Sequence, residues 1–138
     1  MTRKQRFIGL FSAVLLSLSG IGCLSSFEEF PPDLETGLLT VDWTIAGSRD
    51  PRRCATFGAS EIELRIFDGR GDLAADAGAA CEDFSSTLEL IDGYYDAEVT
   101  MLDDAGHRLT RTLTLNDLDI RADTDLVSDL DFPASAFF

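Results

Sequence analysis

Between residues 85 and 115 apolar and polar side chains alternate with a period of two, and a run of that period has little choice but sheet. Leu88 and Leu90 alternate with Thr87 and Glu89, and Tyr95, Ala97, Val99 and Met101 alternate with Asp96, Glu98 and Thr100. Successive strand residues point to opposite faces, so each apolar set lines one buried face. A helix would instead need apolar residues three and four apart. Asp92-Gly93 and the stretch from Asp103 to Gly106 supply the residues that tight turns use. The expectation is a three-stranded meander, with Leu109, Leu113 and Leu115 carrying the apolar face into the third strand. Arg111 interrupts that face, which places it either at a sheet edge or beside a half-buried carboxylate.

The same rhythm recurs on both sides. Residues 38–45 put Leu39, Val41, Trp43 and Ile45 on one face and Thr40, Asp42 and Thr44 on the other. In 61–67, Ile62, Leu64 and Ile66 point inward and Glu61, Glu63 and Arg65 outward. Asp68-Gly69-Arg70-Gly71-Asp72 reads as a turn; its Arg-Gly-Asp is what a glycine-rich hairpin tip uses in any case. Residues 73–77 form a weak, alanine-rich strand suited to an edge, and 124–132 form a last strand burying Leu126, Leu130 and Phe132. Residues 46–59, with Gly47, Pro51 and Gly58, read as a loop, and 116–123 as an acidic connection in which Leu118 and Ile120 pack. Phe137 and Phe138 close the chain and either dock on the domain or mark a partner surface. About seven short strands without an amphipathic helix imply an all-β fold, a two-sheet β-sandwich.

The stretch LIDGYYDAEVTMLDDAGHRL is similar to the L-x-x-G-x-Y-x-x-x-V-x-x-x-D-x-x-G pattern of transthyretin-like and carboxypeptidase-regulatory-like domains. Leu90, Gly93, Tyr95, Val99, Asp103 and Gly106 carry the resemblance, and Asp92 stands where those domains usually have Pro. It implies an immunoglobulin-like or transthyretin-like sandwich and brings no catalytic residues, because such modules are mostly accessory.

At the other end, Arg3, Lys4 and Arg6 precede a mostly apolar run over 7–21, which small residues and Cys23 close. That is the layout of a secretory signal: the run is short for a membrane span, and no charged flank follows to stop transfer. The segment LSGIGC resembles the lipobox of bacterial lipoproteins, whose cysteine is lipidated and becomes the mature N-terminus. Gly22 and Ile21 fit, and Gly20 stands where the family usually has Leu. The resemblance implies a signal peptide over 1–22, a lipidated Cys23 with a polar tether over 23–36, and a β-sandwich domain over 37–138. Pro31-Pro32 is expected to hold part of the tether extended. Leu24 is not the Asp that retains many such proteins in the inner membrane. The address implied is therefore the outer membrane, lipid-anchored and facing the periplasm or the cell surface.

Removing 22 residues from 138 leaves 116, enough for one domain with its own core. The 11 basic residues less Arg3, Lys4 and Arg6 leave 8, all arginine, against 25 acids, a formal charge of −17. Such a balance argues against nucleic acid and against electrostatic docking on anionic lipid. The acids are scattered along alternating strands, as on a solvated face. With Cys23 lipidated, Cys54 and Cys81 remain, and in an exported chain an even pair is expected to form a disulfide.

Arg49, Arg52 and Arg53 make a basic cluster, able to grip a carboxylate or phosphate or to neutralise neighbouring acids. The single histidine, His107, follows a turn, and no G-x-S-x-G elbow occurs. Zinc would need more N or S ligands than the chain offers. For calcium, Asp123, Asp125 and Asp129, or Asp103 and Asp104, supply hard oxygens without a D-x-D-x-D-G loop. No cofactor is expected. The expected function is non-catalytic: a lipid-anchored envelope protein that binds a protein or glycan partner or serves structurally. The alternative is an enzyme or enzyme accessory domain acting on envelope or extracellular polymer.

Overall fold

β1 (Thr36–Ile45) buries Leu39, Val41, Trp43 and Ile45 completely, while Thr40, Asp42 and Thr44 remain half-buried on the opposite face. In the computed structural model, which describes residues 34–138, β1 is the middle strand of a three-stranded sheet. It pairs antiparallel with β4 (Ser85–Ile91) and parallel with β7 (Asp125–Phe132). The second sheet has the order β3-β2-β5-β6, formed by β2 (Glu61–Asp68), β3 (Leu73–Ala80), β5 (Gly93–Leu102) and β6 (Leu113–Ile120), all antiparallel. The chain is an all-β sandwich of two sheets and seven strands. Lipidation at Cys23, the signal run and the tether up to residue 33 lie outside the described residues.

The core is what the alternation predicts. Ile62, Leu64 and Ile66 of β2 and Ala97, Val99 and Met101 of β5 are fully buried with the β1 set, Ile120 and Phe132. Burying each larger side chain contributes roughly 1.5–3 kcal/mol. Leu88, Leu126 and Leu130 pack against this cluster while partly exposed. Trp43 lies at one end, its indole Nε1–H donating to the Cys81 carbonyl at 3.0 Å, so a fully buried polar atom is satisfied.

Three expectations are corrected. The stretch 46–59 is not simply a loop, because Pro51–Phe57 form a helix, α1. Its start and stop signals are local: the Asp50 side chain accepts from the Arg52 N–H, Pro51 occupies the first turn, and Gly58 closes the helix at φ 71°. The second correction concerns the meander. Asp92-Gly93 is not a hairpin turn, because β4 pairs with β1 and β5 pairs with β2, so the chain crosses between sheets there. Asp92 anchors the crossing: its N–H donates to the Glu35 carbonyl and its carboxylate accepts from the Ala122 N–H. The third correction is that 116–123 is largely strand, since β6 runs to Ile120 and buries Leu118 and Ile120. Asp117, at φ 58°, sits at the irregularity where β6 shifts register against Tyr95 and Ala97. That bulge breaks the alternation that would have marked the strand.

Cys54 of α1 and Cys81 of a 3-10 turn (Cys81–Asp83) form a disulfide, with their Cα atoms 6.0 Å apart. The tail docks in part: Phe137 stacks on Phe57 of α1 at 4.2 Å between ring centroids, and Phe138 remains 88% exposed. Arg111 is exposed, and its backbone N–H donates to Ala136, tying the tail to the approach to β6.

Candidate functional site

Outward positions of adjacent strands carry side chains that sequence distance conceals. On β2 these are Glu63, Arg65 and Phe67, and on β5 Tyr94, Asp96, Glu98 and Thr100. The register sets Glu63 opposite Thr100, Arg65 opposite Glu98 and Phe67 opposite Asp96. The segment between β5 and β6 folds back alongside, with Leu102 bridged to Arg108, and adds Arg108 and Thr112. Together Glu63, Arg65, Glu98, Thr100, Arg108 and Thr112 line an open basin of about 240 Å³ on the outer face of the four-stranded sheet.

The basin is built as well as open. Thr100 is nearly buried, its hydroxyl 3.2 Å from that of Thr112, and the Arg108 guanidinium donates to the Thr112 hydroxyl. Arg65 approaches Glu98 at 3.6 Å while its guanidinium lies 5.2 Å from the centre of the Phe67 ring. At 42% and 43% side-chain exposure, Arg65 and Glu98 are loosely paired and free to exchange partners. Farther along the same face Tyr94 stands 61% exposed, with Arg121 5.8 Å from its ring centre and bonded to its hydroxyl. Asp119, 2.7 Å from Arg121, raises the arginine pKa further. The face thus offers donors, acceptors and aromatic surface on one rigid sheet.

The basic cluster is distributed differently. Arg49 turns back over the three-stranded sheet to Asp42 at 3.1 Å and Asp129 at 3.8 Å. Arg52 lies 3.6 Å from Asp50 at the start of α1 with its side chain 91% exposed, and Arg53 is exposed on the helix. Arg49 offsets the charge of these two carboxylates and leaves the rest of that acidic outer face uncompensated. The Ser85 hydroxyl and then Arg49 hold the Asp42 carboxyl below its ordinary pKa.

Three of the acidic residues considered for calcium, Asp103, Asp125 and Asp129, are likewise engaged locally. Asp103 closes its own turn, accepting from the Ala105 and His107 N–H groups, and these bonds, the His107 amide first, lower its pKa. The His107 ring sits 3.2 Å from the same carboxylate and is largely exposed. Asp125 accepts from the Thr40 hydroxyl and lines a shallow hollow with Asp123 and Glu89, whereas Asp129 stands by Arg49. Among the described residues no group of three His, Cys, Asp or Glu side chains is arranged to hold a metal ion. The Arg-Gly-Asp turn is tied down too: Asp68 accepts from the Arg70 and Asp72 N–H groups and pairs with the Arg70 guanidinium at 3.0 Å.

Sequence reading missed the basin because Arg65 and Arg108 are far apart in the chain and its hydroxyls read as ordinary solvent-facing positions. The available signal was Thr100: a threonine at an outward site of a central strand acquires a reason once Thr112 is opposite it.

Among the described residues no helix is long and apolar enough to cross a membrane. No protein-family model matches the chain, and no curated protein matches it. A solved structure of a leucine-rich repeat protein from Bacteroides thetaiotaomicron is similar over 72% of this chain, at 16% identity and a TM-score of 0.48. The matched region is 12% of that protein's chain, so this chain spans only a small part of its length.

Proposed function

We propose that this chain is a non-catalytic lipoprotein of the outer membrane, anchored through Cys23, which binds a glycan on the outer face of its four-stranded sheet. The observation that carries the binding reading is the basin itself. Carboxylates of Glu63 and Glu98 accept, guanidinium groups of Arg65 and Arg108 donate, and the Thr100 and Thr112 hydroxyls do either. A polyhydroxylated ligand needs that mixture at close spacing, whereas a phosphate site would not set as many carboxylates as guanidinium groups in its wall. Tyr94 and Phe67 add apolar surface on which a sugar ring can rest. The anchoring reading is supported by the LSGIGC signal and by the polar composition of the stretch that follows Cys23. In sequence, the stretch from Leu90 to Gly106 resembles the pattern of transthyretin-like accessory modules, which agrees with a binding role.

Glycan-array binding of the full chain in detergent micelles tests the site. Arg65→Ala and Glu98→Ala should abolish the signal of any glycan retained by the native protein while leaving the melting temperature within a few degrees. Undiminished binding by both variants would move the site elsewhere. Labelled fatty acid tests the anchor separately, since Cys23→Ser should lose both label and membrane fractionation.

A further inference from the structure

β3 forms one edge of the four-stranded sheet, and among the described residues it pairs with β2 alone. The pairing fixes which backbone groups are left over. At one end the Asp68 N–H donates to Asp72, and at the other the Cys81 N–H donates to Ser60. In an antiparallel ladder hydrogen-bonded and non-bonded pairs alternate. Between those ends, past the irregularity near Ala75, Ala77 and Ala79 therefore bond to β2, and Asp76, Gly78 and Ala80 turn their N–H and C=O groups outward. From Ala75 to Ala80 the same three residues are the exposed ones.

Two other edges of the sandwich are guarded. β7 sets Asp125, Asp129 and Asp131 along its outer positions, and β6 is broken by the bulge at Asp117. β3 has neither proline nor lysine, and its side chains from Ala74 to Ala80 are alanine and glycine apart from Asp76. A second observation lies at Gly78. The carboxylate of Glu61 occupies the place where a side chain at 78 would stand, so the glycine lets an acid lie directly over the free edge. Glu61 and Gly78 share a hollow with Ser60 and Ala80, and a neighbouring hollow continues past Ala80 and Ser60 toward Glu82 and α1.

We infer that the β3 edge binds an extended basic segment of a partner protein by strand addition. Backbone groups of Asp76, Gly78 and Ala80 supply the hydrogen bonds, and the hollows beside Glu61 and Glu82 receive alternate cationic side chains. The charge decides the occupant. A second copy would set two chains of formal charge −14 or more negative edge to edge, and the acidic stretch SSFEEFPPD of this chain has the wrong sign and two prolines that cannot donate. This surface is distinct from the glycan basin, and either proposal stands if the other fails.

The probe is a short alternating Lys-Val peptide, titrated into the full chain in detergent micelles and followed by fluorescence anisotropy and amide hydrogen exchange. Two controls accompany it: the Glu-Val counterpart, and a Lys-Val peptide N-methylated at alternate residues, which keeps the charge and loses the donors. Strand addition predicts binding of the Lys-Val peptide alone, with new protection at the amides of Asp76, Gly78 and Ala80. Gly78→Pro, which removes an outward donor at an edge, should weaken binding about tenfold or more. Asp76→Lys should weaken it also, and serves if the proline variant does not fold. Equal binding of the N-methylated peptide, protection elsewhere, absence of binding, or a free protein already dimeric through β3 would each overturn the inference.

Discussion

Tyr95 shows how one side chain holds a junction that the backbone alone leaves loose. Its hydroxyl donates to the Ile91 carbonyl at 2.8 Å, spanning the point where the chain passes from one sheet to the other. Partial burial, then the charges of Asp68 and Asp92, raise its pKa, so the donor keeps its proton throughout the ordinary pH range. Tyr95→Phe leaves that carbonyl short of a partner and is expected to cost about 1–2 kcal/mol in chemical denaturation; an unchanged midpoint would show that the crossing holds without it. Gly37 is constrained by proximity, because a side chain there would strike the Arg121 carbonyl. Three carboxylates carry a pH dependence. Asp42 is held low by Ser85 and Arg49, Asp68 by the Asp72 amide and Arg70, and Asp103 by the His107 amide. Each folded-state pKa lies below the ordinary aspartate value of 3.8, so the unfolded chain takes protons first as pH falls through that value. Their stabilisation is therefore present above 3.8 and is lost below it. Compared with a variant carrying Asp→Asn at all three, the native protein should be more stable by a constant margin at neutral pH, and the margin should close in acid. A margin unchanged down to full protonation would assign these carboxylates no role.

The short helix and the 3-10 turn matter more than their length suggests, because they carry the disulfide. Cys54–Cys81 closes a loop of 27 residues that contains all of β2 and β3. Replacing both cysteines with serine is expected to cost roughly 2–4 kcal/mol, read as a shift in denaturation midpoint, with the loss reproduced by reduction of the native protein. The pairing was legible from the cysteine count together with the export signal expected from the sequence, and α1 was legible in principle. Asp50-Pro51 and Gly58 are start and stop signals, yet Gly47, Pro51 and Gly58 together read as loop because seven residues are too few to show a helical period. β6 was harder to see. Its bulge at Asp117 interrupts the alternation, and its acids resemble those of a connection. Of the candidate basin only Glu63, Arg65, Glu98 and Thr100 were readable, as outward positions. That Arg108 and Thr112 join them depends on how the segment after β5 folds back.

At the scale of the whole molecule the charge sets the solution behaviour. With Asp42, Asp125, Asp129 and Asp131 crowding one outer face and one arginine among them, the folded domain repels itself. Salt or millimolar divalent cation is expected to raise the melting temperature smoothly, with Mg²⁺ and Ca²⁺ acting alike. A saturable, Ca²⁺-selective step at defined stoichiometry would instead reveal a dedicated site. Composition and period two by themselves determined the fold class, the buried face of each regular strand and the acidic surface, because those depend on which side chains prefer water and on the pleat that alternates them. Which strands pair was decided only in three dimensions. A strand's alternation states which face is wet and says nothing about its neighbour, so β4 and β5, adjacent in sequence and both periodic, were free to enter opposite sheets. The basin and the open β3 edge follow from that choice, since each is made of backbone and side chains brought together by pairing rather than by position in the chain.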